Sequence, residues 1–191
     1  ATTHDLVLSA VTERRSAARA AESLLQDRVE ALLLVSPDIS AADLSVLATR
    51  ADVIVTIGAA VEADGVYSVR TDDLAGITSV VDHLAALGHR DIAYIDAAAL
   101  PLNTERRTAY AAAMRAYGLG SFVRFLPASN TEAAGAELAG KLLAAQSLPT
   151  AVVAYNDMVA IGLLLALRDA GVSVPQDVSI VGYDDTRSAG W

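Results

Sequence analysis

Polar side chains that could bind a small molecule follow several short, β-branched runs of this 191-residue chain. Asp72 comes after one such run, Asn156 after a second and Asp184 after a third. Carboxylates accept hydrogen bonds and amides both donate and accept them, which suits the vicinal hydroxyls of a sugar or the edge of a small heterocycle. Each of these residues could equally be a helix cap or a solvated turn residue.

Arg106 is placed against the usual preference of helices. It falls in the first turn of a predicted helix, where the helix dipole disfavours cations. A bidentate contact with a ligand would explain that placement, and a surface arginine that extends into solvent is the alternative. We expect only one of Arg106 and its neighbour Arg107 to face inward.

The sequence offers little for catalysis. It contains no glycine-rich phosphate loop, no nucleophile-elbow motif and no HExxH zinc motif. Its three histidines do not form a metal set, and a chain without cysteine has no disulfides, thiolate metal sites or cysteine nucleophiles. We therefore expect a protein that is not an enzyme and that uses no cofactor and no metal.

Charge and hydropathy narrow the range of partners. Asp plus Glu number 23 and Lys plus Arg number 14, so the net charge is −9 and the chain is a poor partner for phosphate backbones. Mean hydropathy is +0.40, but the longest apolar run, Met158–Leu167, is far shorter than the roughly 20 residues of a spanning helix. No signal peptide is visible, and we expect a cytoplasmic protein with no membrane partner.

The hydrophobic pattern predicts an α/β protein, because short β-branched runs alternate with longer amphipathic runs. Several strand candidates are continuously apolar, as expected for a parallel sheet that is buried on both faces. The predicted strands are Asp5–Ala10, Ala31–Val35, Val53–Ile57, Val66–Val69, Ile92–Ile95, Phe122–Leu126, Ala151–Tyr155 and Val178–Gly182. The predicted helices are Glu13–Asp27, Ala41–Arg50, Leu74–Leu87, Glu105–Tyr117, Glu132–Ala145 and Met158–Ala170.

One connection is longer than the others. The loop Asp96–Asn103 has about eight residues, whereas the other β–α connections have two to four. We interpret it as a crossover between two subdomains, residues 1–97 and residues 98–191.

Three segments carry longer motifs. His83–Ile95 reads HLAALGHRDIAYI and fits H-L-x-x-L-G-H-R-x-I-A-x-I. Glu105–Leu119 is similar to R-x-x-G-[FY]-x-x-A-[ML]-x-x-x-G-[IL]. Pro149–Asp185 begins PTAVVAYND and ends VPQDVSIVGYDD, which is similar to P-T-A-[IV]-x-x-x-N-D followed by [VI]-P-x-D-[VI]-S-[VI]-[VI]-G-[FY]-D-[DN]. Together these segments resemble the effector-binding core of the lactose-repressor (LacI/GalR) family of bacterial transcription regulators.

The resemblance implies a fold of the periplasmic-binding-protein-like type I. Two Rossmann-like subdomains with parallel sheets would enclose a ligand cleft between them. Residues 1–97 would be the amino-proximal subdomain without its first strand and helix, and residues 98–191 the carboxy-proximal subdomain, truncated at its end. The helix-turn-helix with which family members begin would lie outside this chain.

The resemblance also implies which side chains bind the effector. The matching positions are Asp72, Arg106, Asn156 and Asp184. Asp73 stands where the family usually has Asn. Asn130 occupies the place where several family members stack an aromatic residue on the ligand, so a hydroxyl-rich ligand is favoured over a flat one.

The expected function is that of the effector-binding and dimerisation core of a LacI-type regulator. It would bind a sugar and allosterically control operator binding through the missing helix-turn-helix. The helix Met158–Ala170 is apolar all round, so its outer face predicts a homodimer. The alternative is a sugar-binding protein of an ABC transporter, which shares the fold. A helix-turn-helix in the full gene would separate the two.

Overall fold

The computed structural model describes residues 5–12, 14–26, 29–58, 61, 63–97 and 103–190, in which helices alternate with strands. None of the helices in this described part is both long and apolar enough to span a bilayer. The helices are α1 (Ala17–Gln26), α2 (Ala41–Ala48), α3 (Asp73–Ala86), α4 (Asn103–Ala116), α5 (Glu132–Ala144) and α6 (Asp157–Asp169). The strands are β1 (Ala31–Val35), β2 (Val53–Ile57), β3 (Val66–Val69), β4 (Ile92–Asp96), β5 (Arg124–Pro127), β6 (Ala151–Val153) and β7 (Ser179–Val181).

The strands form two separate parallel sheets in two compact units, which confirms the predicted α/β class. The first unit spans Ala1–Thr71 and the second Asp72–Trp191. The first sheet has the order β1-β2-β3, and the second has the order β5-β4-β6-β7. Every strand pair in both sheets is parallel.

The predicted boundary at residue 97 was wrong. β4 lies at the centre of the second sheet, where it pairs with β5 on one side and β6 on the other. The units therefore divide between Thr71 and Asp72. The connection that we interpreted as a crossover joins β4 to α4 inside the second unit, and its residues 98–102 lie outside the described part. A long β–α loop thus gave a false boundary.

The first unit covers one face of its sheet with helices. Leu32 and Ile54 point towards α1 and α2 and are fully buried among their apolar side chains. The opposite face carries apolar residues that are more than half exposed, namely Leu33, Val35, Tyr67 and Val69. The prediction that continuous apolar runs are buried on both faces was therefore wrong for this sheet.

The strand predicted at Asp5–Ala10 is also absent, since residues 5–10 have no regular structure. Leu6 and Leu8 are 83% and 85% exposed. An apolar, β-branched run becomes a strand only when a neighbouring strand pairs with it, and none of the described strands does so here.

The second unit covers both faces of its sheet. Side chains alternate along β4, so that Ile92 and Tyr94 pack with α3 and α4, whereas Ala93 and Ile95 pack with α5 and α6. All four are fully buried. This doubly covered sheet is the arrangement that continuous apolar strands predict. It leaves the loops at the carboxyl ends of the strands as the polar edge of the unit.

Two glycines let α5 and α6 approach each other closely. A Cβ atom at Gly162 would overlap the carbonyl oxygen of Glu132 on α5, and one at Gly135 would overlap the carbonyl oxygen of Val159 on α6. The two helices therefore touch backbone to backbone. Gly140, also on α5, has open space around it.

Replacing Gly162 by alanine tests this contact. We expect Gly162→Ala to lower the free energy of unfolding by about 1–3 kcal/mol, because the added methyl group forces the helices apart. Gly140→Ala is the matched control, and it should raise stability by about 0.5–1 kcal/mol, since alanine is the better helix former. Urea denaturation followed by circular dichroism measures both. Equal effects of the two substitutions would contradict the close contact.

Candidate functional site

Arg106 forms the centre of the polar edge of the second unit. It lies in the first turns of α4 and is only 5% exposed. Its Nε donates to Oδ2 of Asp73 at 3.1 Å, and its Nη1 donates to the carbonyl oxygen of Tyr155 at 2.8 Å. A buried guanidinium that is both ion-paired and hydrogen-bonded meets the condition under which a buried charge is tolerated.

Aromatic rings line the same arginine. Its guanidinium carbon lies 3.8 Å from the ring centroid of Tyr183 and 4.9 Å from that of Tyr155. The hydroxyl of Tyr183 donates to Oδ1 of Asp73 at 2.6 Å. The carboxylate of Asp73 therefore receives a hydrogen bond on each oxygen, and the arginine gains a cation–π contact. We refer to Arg106, Asp73, Tyr155 and Tyr183 as the Arg106 network.

Asp184 follows β7 and lies within electrostatic reach of this network. Its backbone is left-handed, with a φ of 102°, and Asp185 after it has a φ of 51°. Partial burial raises the pKa of the Asp184 carboxyl, Arg106 opposes that rise, and the carboxylates of Asp157 and Asp73 add to it. Asp184 is exposed, yet partial desolvation and the neighbouring acids both disfavour its charged form.

Asp157 holds the loop that carries Asp184. It is 5% exposed, and its Oδ2 accepts a hydrogen bond from the backbone N–H of Thr186 at 2.7 Å. Its own N–H donates to the carbonyl oxygen of Tyr183 at 2.9 Å. A Cβ atom at Gly182 would overlap the Asp157 carboxylate, so the glycine makes this approach possible. These contacts fix the left-handed turn on both sides.

Asn156 and Asn130 meet at the edge of the same site. The side-chain oxygen of Asn156 caps α6 by accepting from the N–H of Val159 at 3.0 Å. Its amide nitrogen lies 3.5 Å from the carbonyl oxygen of Asn130. Asn130 itself is exposed, so the contact uses its backbone and leaves its side chain to solvent.

The predicted site residues are partly brought together. Arg106 acts electrostatically on Asp184, and Asn156 contacts Asn130. Asp72 caps α3 by accepting from the N–H of Ala75 at 2.9 Å. Its link to the Arg106 network is its neighbour in the chain, Asp73.

The contacts of Asp73, Asp157 and Tyr183 were not predicted from the sequence. The position of Arg106 near a helix start could have pointed to one of these contacts. If such an arginine is buried, it requires an acidic partner.

Arg107 points away from the network. Its Nη1 forms an ion pair of 2.6 Å with Oδ2 of Asp96 at the end of β4, and its guanidinium carbon lies 4.2 Å from the ring centroid of Phe125. The expectation that only one of the two arginines faces inward is confirmed. Asp96 is buried beneath this contact.

The described residues contain no group of three or more His, Asp or Glu side chains arranged to hold a metal ion. The site instead offers hydrogen-bond donors and acceptors. It presents an arginine, an amide and several carboxylates next to aromatic rings, which is a combination that binds polar small molecules.

The chain is similar to transcription regulators over most of its length. Residues 81–190 match the family model of the periplasmic binding protein-like domain. The crystal structure of a LacI transcriptional regulator from a Rhodococcus species is 43% identical, with a TM-score of 0.85 over 97% of this chain and 69% of that chain.

Two further regulators extend the comparison. The HTH-type transcriptional regulator AscG of Escherichia coli K12 is 29% identical over 174 residues, which are 90% of this chain and 52% of AscG. A LacI family regulator from Enterococcus faecium, solved with bound ribose, is 29% identical, with a TM-score of 0.74 over 85% of this chain and 61% of that chain. The chain thus spans about half the length of AscG.

The raised pKa of Asp184 makes a prediction about stability. A carboxyl whose pKa is higher in the folded than in the unfolded state binds its proton more tightly when folded, so ionisation destabilises the fold as pH rises. We expect Asp184→Asn to raise the melting temperature at pH 7. The gain should shrink as pH falls through the raised folded pKa, and it should vanish below the unfolded value of about 3.9.

Asp185→Asn is the matched control, because it makes the same change at the next left-handed position. Differential scanning calorimetry between pH 3.5 and pH 7 measures both variants. A gain for Asp184→Asn that is independent of pH, or that Asp185→Asn shares, would show that charge at Asp184 is not its cause.

Proposed function

Given that the chain belongs to the LacI family of transcriptional regulators, we propose that it forms the effector-binding core of a bacterial regulator and that its effector is a sugar. Binding at the Arg106 network would change the affinity for operator DNA of a helix-turn-helix that lies outside this chain. A regulator of this kind acts in the cytoplasm, where its operator is.

The Arg106 network and its acidic surroundings carry this proposal. Sugar hydroxyls both donate and accept, so they need donors and acceptors side by side. Arg106 supplies donors, Asp184 supplies acceptors and Asn156 supplies both. The rings of Tyr155 and Tyr183 add apolar faces of the kind that polar sites use to fix orientation. The exposed side chain of Asn130 provides no stacking surface for a flat heterocycle.

The comparisons support a regulator over a transporter component. AscG carries an HTH-type regulator name, and the Enterococcus faecium relative is a regulator solved with ribose. These relatives also favour a binding protein over an enzyme. The net charge of −9 is consistent with operator contacts that belong to another region, because DNA affinity depends on cationic contacts with phosphates.

The outer face of α6 supports a homodimer. Met158 is 48% exposed and Leu165 is 43% exposed, while Ile161 and Leu164 between them are partly exposed. A contiguous apolar surface on a helix marks an interface more often than a solvated face. We propose that two copies bury these residues around a two-fold axis, which gives a self-complementary interface.

A sugar panel tests the ligand proposal. We expect one neutral pentose or hexose, with ribose and arabinose among those tried, to raise the melting temperature of the full-length protein, because ligand at 100 times its Kd adds about 2.7 kcal/mol. Arg106→Lys keeps the charge but loses the planar fork, and it should weaken that binding by roughly tenfold or more. Arg107→Lys is the control, because Arg107 faces Asp96, and this variant should bind the sugar with the affinity of the wild type.

Circular dichroism of both variants is the check that they fold. Full affinity in Arg106→Lys would contradict the role of Arg106. A panel in which no sugar stabilises the wild-type protein would contradict a sugar effector.

Leu164→Glu tests the dimer proposal. A charge at this position should convert the full-length dimer to monomer, because an unpaired carboxylate would be buried in the interface. Phe122→Glu, at an exposed residue before β5, is the control and should leave the dimer intact. Sedimentation velocity at micromolar concentration distinguishes these states. A wild-type monomer, or a dimer that persists in Leu164→Glu, would contradict an interface on α6.

A further inference from the structure

The Arg106 network and the residues around it carry more negative than positive charge. The groups that act electrostatically on Asp184 include one cation, Arg106, and two carboxylates, Asp157 and Asp73. Asp184 itself is a third carboxylate, and Asp72 lies next to Asp73 in the chain. Any ligand that contacts Arg106 here therefore meets an excess of negative charge.

Arg106 is also already engaged as an anion binder. Carboxylates and phosphates bind arginine best through two parallel N–H bonds. The side-on pair of donors includes Nε, and the one hydrogen of Nε is donated to Asp73. The end-on pair includes Nη1, which donates to the carbonyl oxygen of Tyr155. The side-on geometry is therefore closed to a second anion, and the end-on geometry would have to use the remaining hydrogen of Nη1 together with Nη2.

The partner of Arg106 is not free to leave. Asp73 is 3% exposed, and its other oxygen accepts from the hydroxyl of Tyr183 at 2.6 Å. Displacing its carboxylate from the arginine would leave a buried, unpaired charge, which is among the most destabilising changes a protein interior can undergo. An anionic ligand therefore cannot replace Asp73 at low energetic cost.

Asp184 also disfavours an anionic ligand over a neutral one. Its pKa is already raised by desolvation and by the neighbouring carboxylates, so a further negative charge nearby would add to the repulsion. A hydroxyl group has no such conflict, because it can donate to Asp184 and accept from an Nη hydrogen of Arg106.

We propose that this site excludes anions: its ligand is an uncharged polyhydroxy compound, sugar phosphates and sugar acids are rejected, and Asp73 is the residue that determines this specificity. The inference rests on the proposed function, because it assigns the charge class of the effector at the same site. Asp73 acts by neutralising Arg106 and by occupying the Nε donor, without requiring contact with the ligand.

Anion binding by the full-length wild type, by Arg106→Ala and by variants of Asp73 tests the proposal. The probes are inorganic phosphate and glucose 6-phosphate, whose binding is read from 31P line broadening. The wild-type protein should show no phosphate binding that depends on Arg106. Asp73→Asn frees the Nε donor and removes one charge, so it should gain at least a tenfold higher affinity for both probes. Asp73→Asn combined with Arg106→Ala should lose that gain, which separates this site from phosphate bound elsewhere.

Asp169→Asn is the charge-matched control. Asp169 lies at the far end of α6 and is exposed, so the variant should behave as the wild type does. Circular dichroism checks the folding of each variant. If Asp73→Asn does not fold, Asp184→Asn removes a carboxylate from the same cluster without breaking the buried pair, and it should gain phosphate affinity in the same direction.

Two results would overturn the proposal: phosphate binding by the wild type that disappears in Arg106→Ala, or no gain of affinity in a folded Asp73→Asn or Asp184→Asn protein. The proposed function fails by a different result. If no neutral sugar stabilises the wild type while the phosphate experiment gives the expected gains, the site still excludes anions but does not bind a sugar.

Discussion

The buried ion pair between Arg106 and Asp73 is the contact on which the polar edge of the second unit depends. It joins α4 to α3, and the same guanidinium reaches the carbonyl after β6 and the tyrosine ring after β7. One side chain therefore fixes four elements that are far apart in the sequence. Removing either partner of such a pair leaves a buried charge and destabilises a protein by about 3–5 kcal/mol. The arrangement is consequently held in place before any ligand arrives.

The two helix starts at this edge use adjacent residues for different tasks. At α3, Asp72 caps its own helix while Asp73 reaches across to Arg106. At α6, Asn156 caps its own helix while Asp157 holds the turn after β7. The capping residue and the first helical residue point in different directions, so the first caps its own helix and the second bonds to another element of the unit. Paired polar residues at these positions are therefore not redundant.

The second sheet could be predicted from the sequence because each of its strands carries apolar residues for both faces, as β4 does. The three strands of the first sheet were predicted with the bounds that the structure has. Burial of its second face was not predicted correctly, since that burial depends on neighbours that a strand does not specify, and the predicted strand Asp5–Ala10 is absent for the same reason. The loop after β4 suggested a boundary between subdomains, because length alone does not distinguish a crossover between units from a long loop within one unit. Arg106 was identifiable from its conflict with the helix dipole. Asp73 was not assigned as its partner, because the ion pair becomes visible only when α3 packs on α4.

The backbone contact between α5 and α6 has a mechanical consequence. At the crossing point, Gly135 and Gly162 leave no side chain between the two backbones that could absorb a shift. We therefore expect the two helices to shift together, because a direct backbone contact resists the sliding that long intervening side chains allow. The first turn of α6 lies at the polar edge, and Leu164 lies about 10 Å further along the same helix. A small displacement produced where a ligand binds would thus be delivered, almost undiminished, to the apolar outer face of that helix.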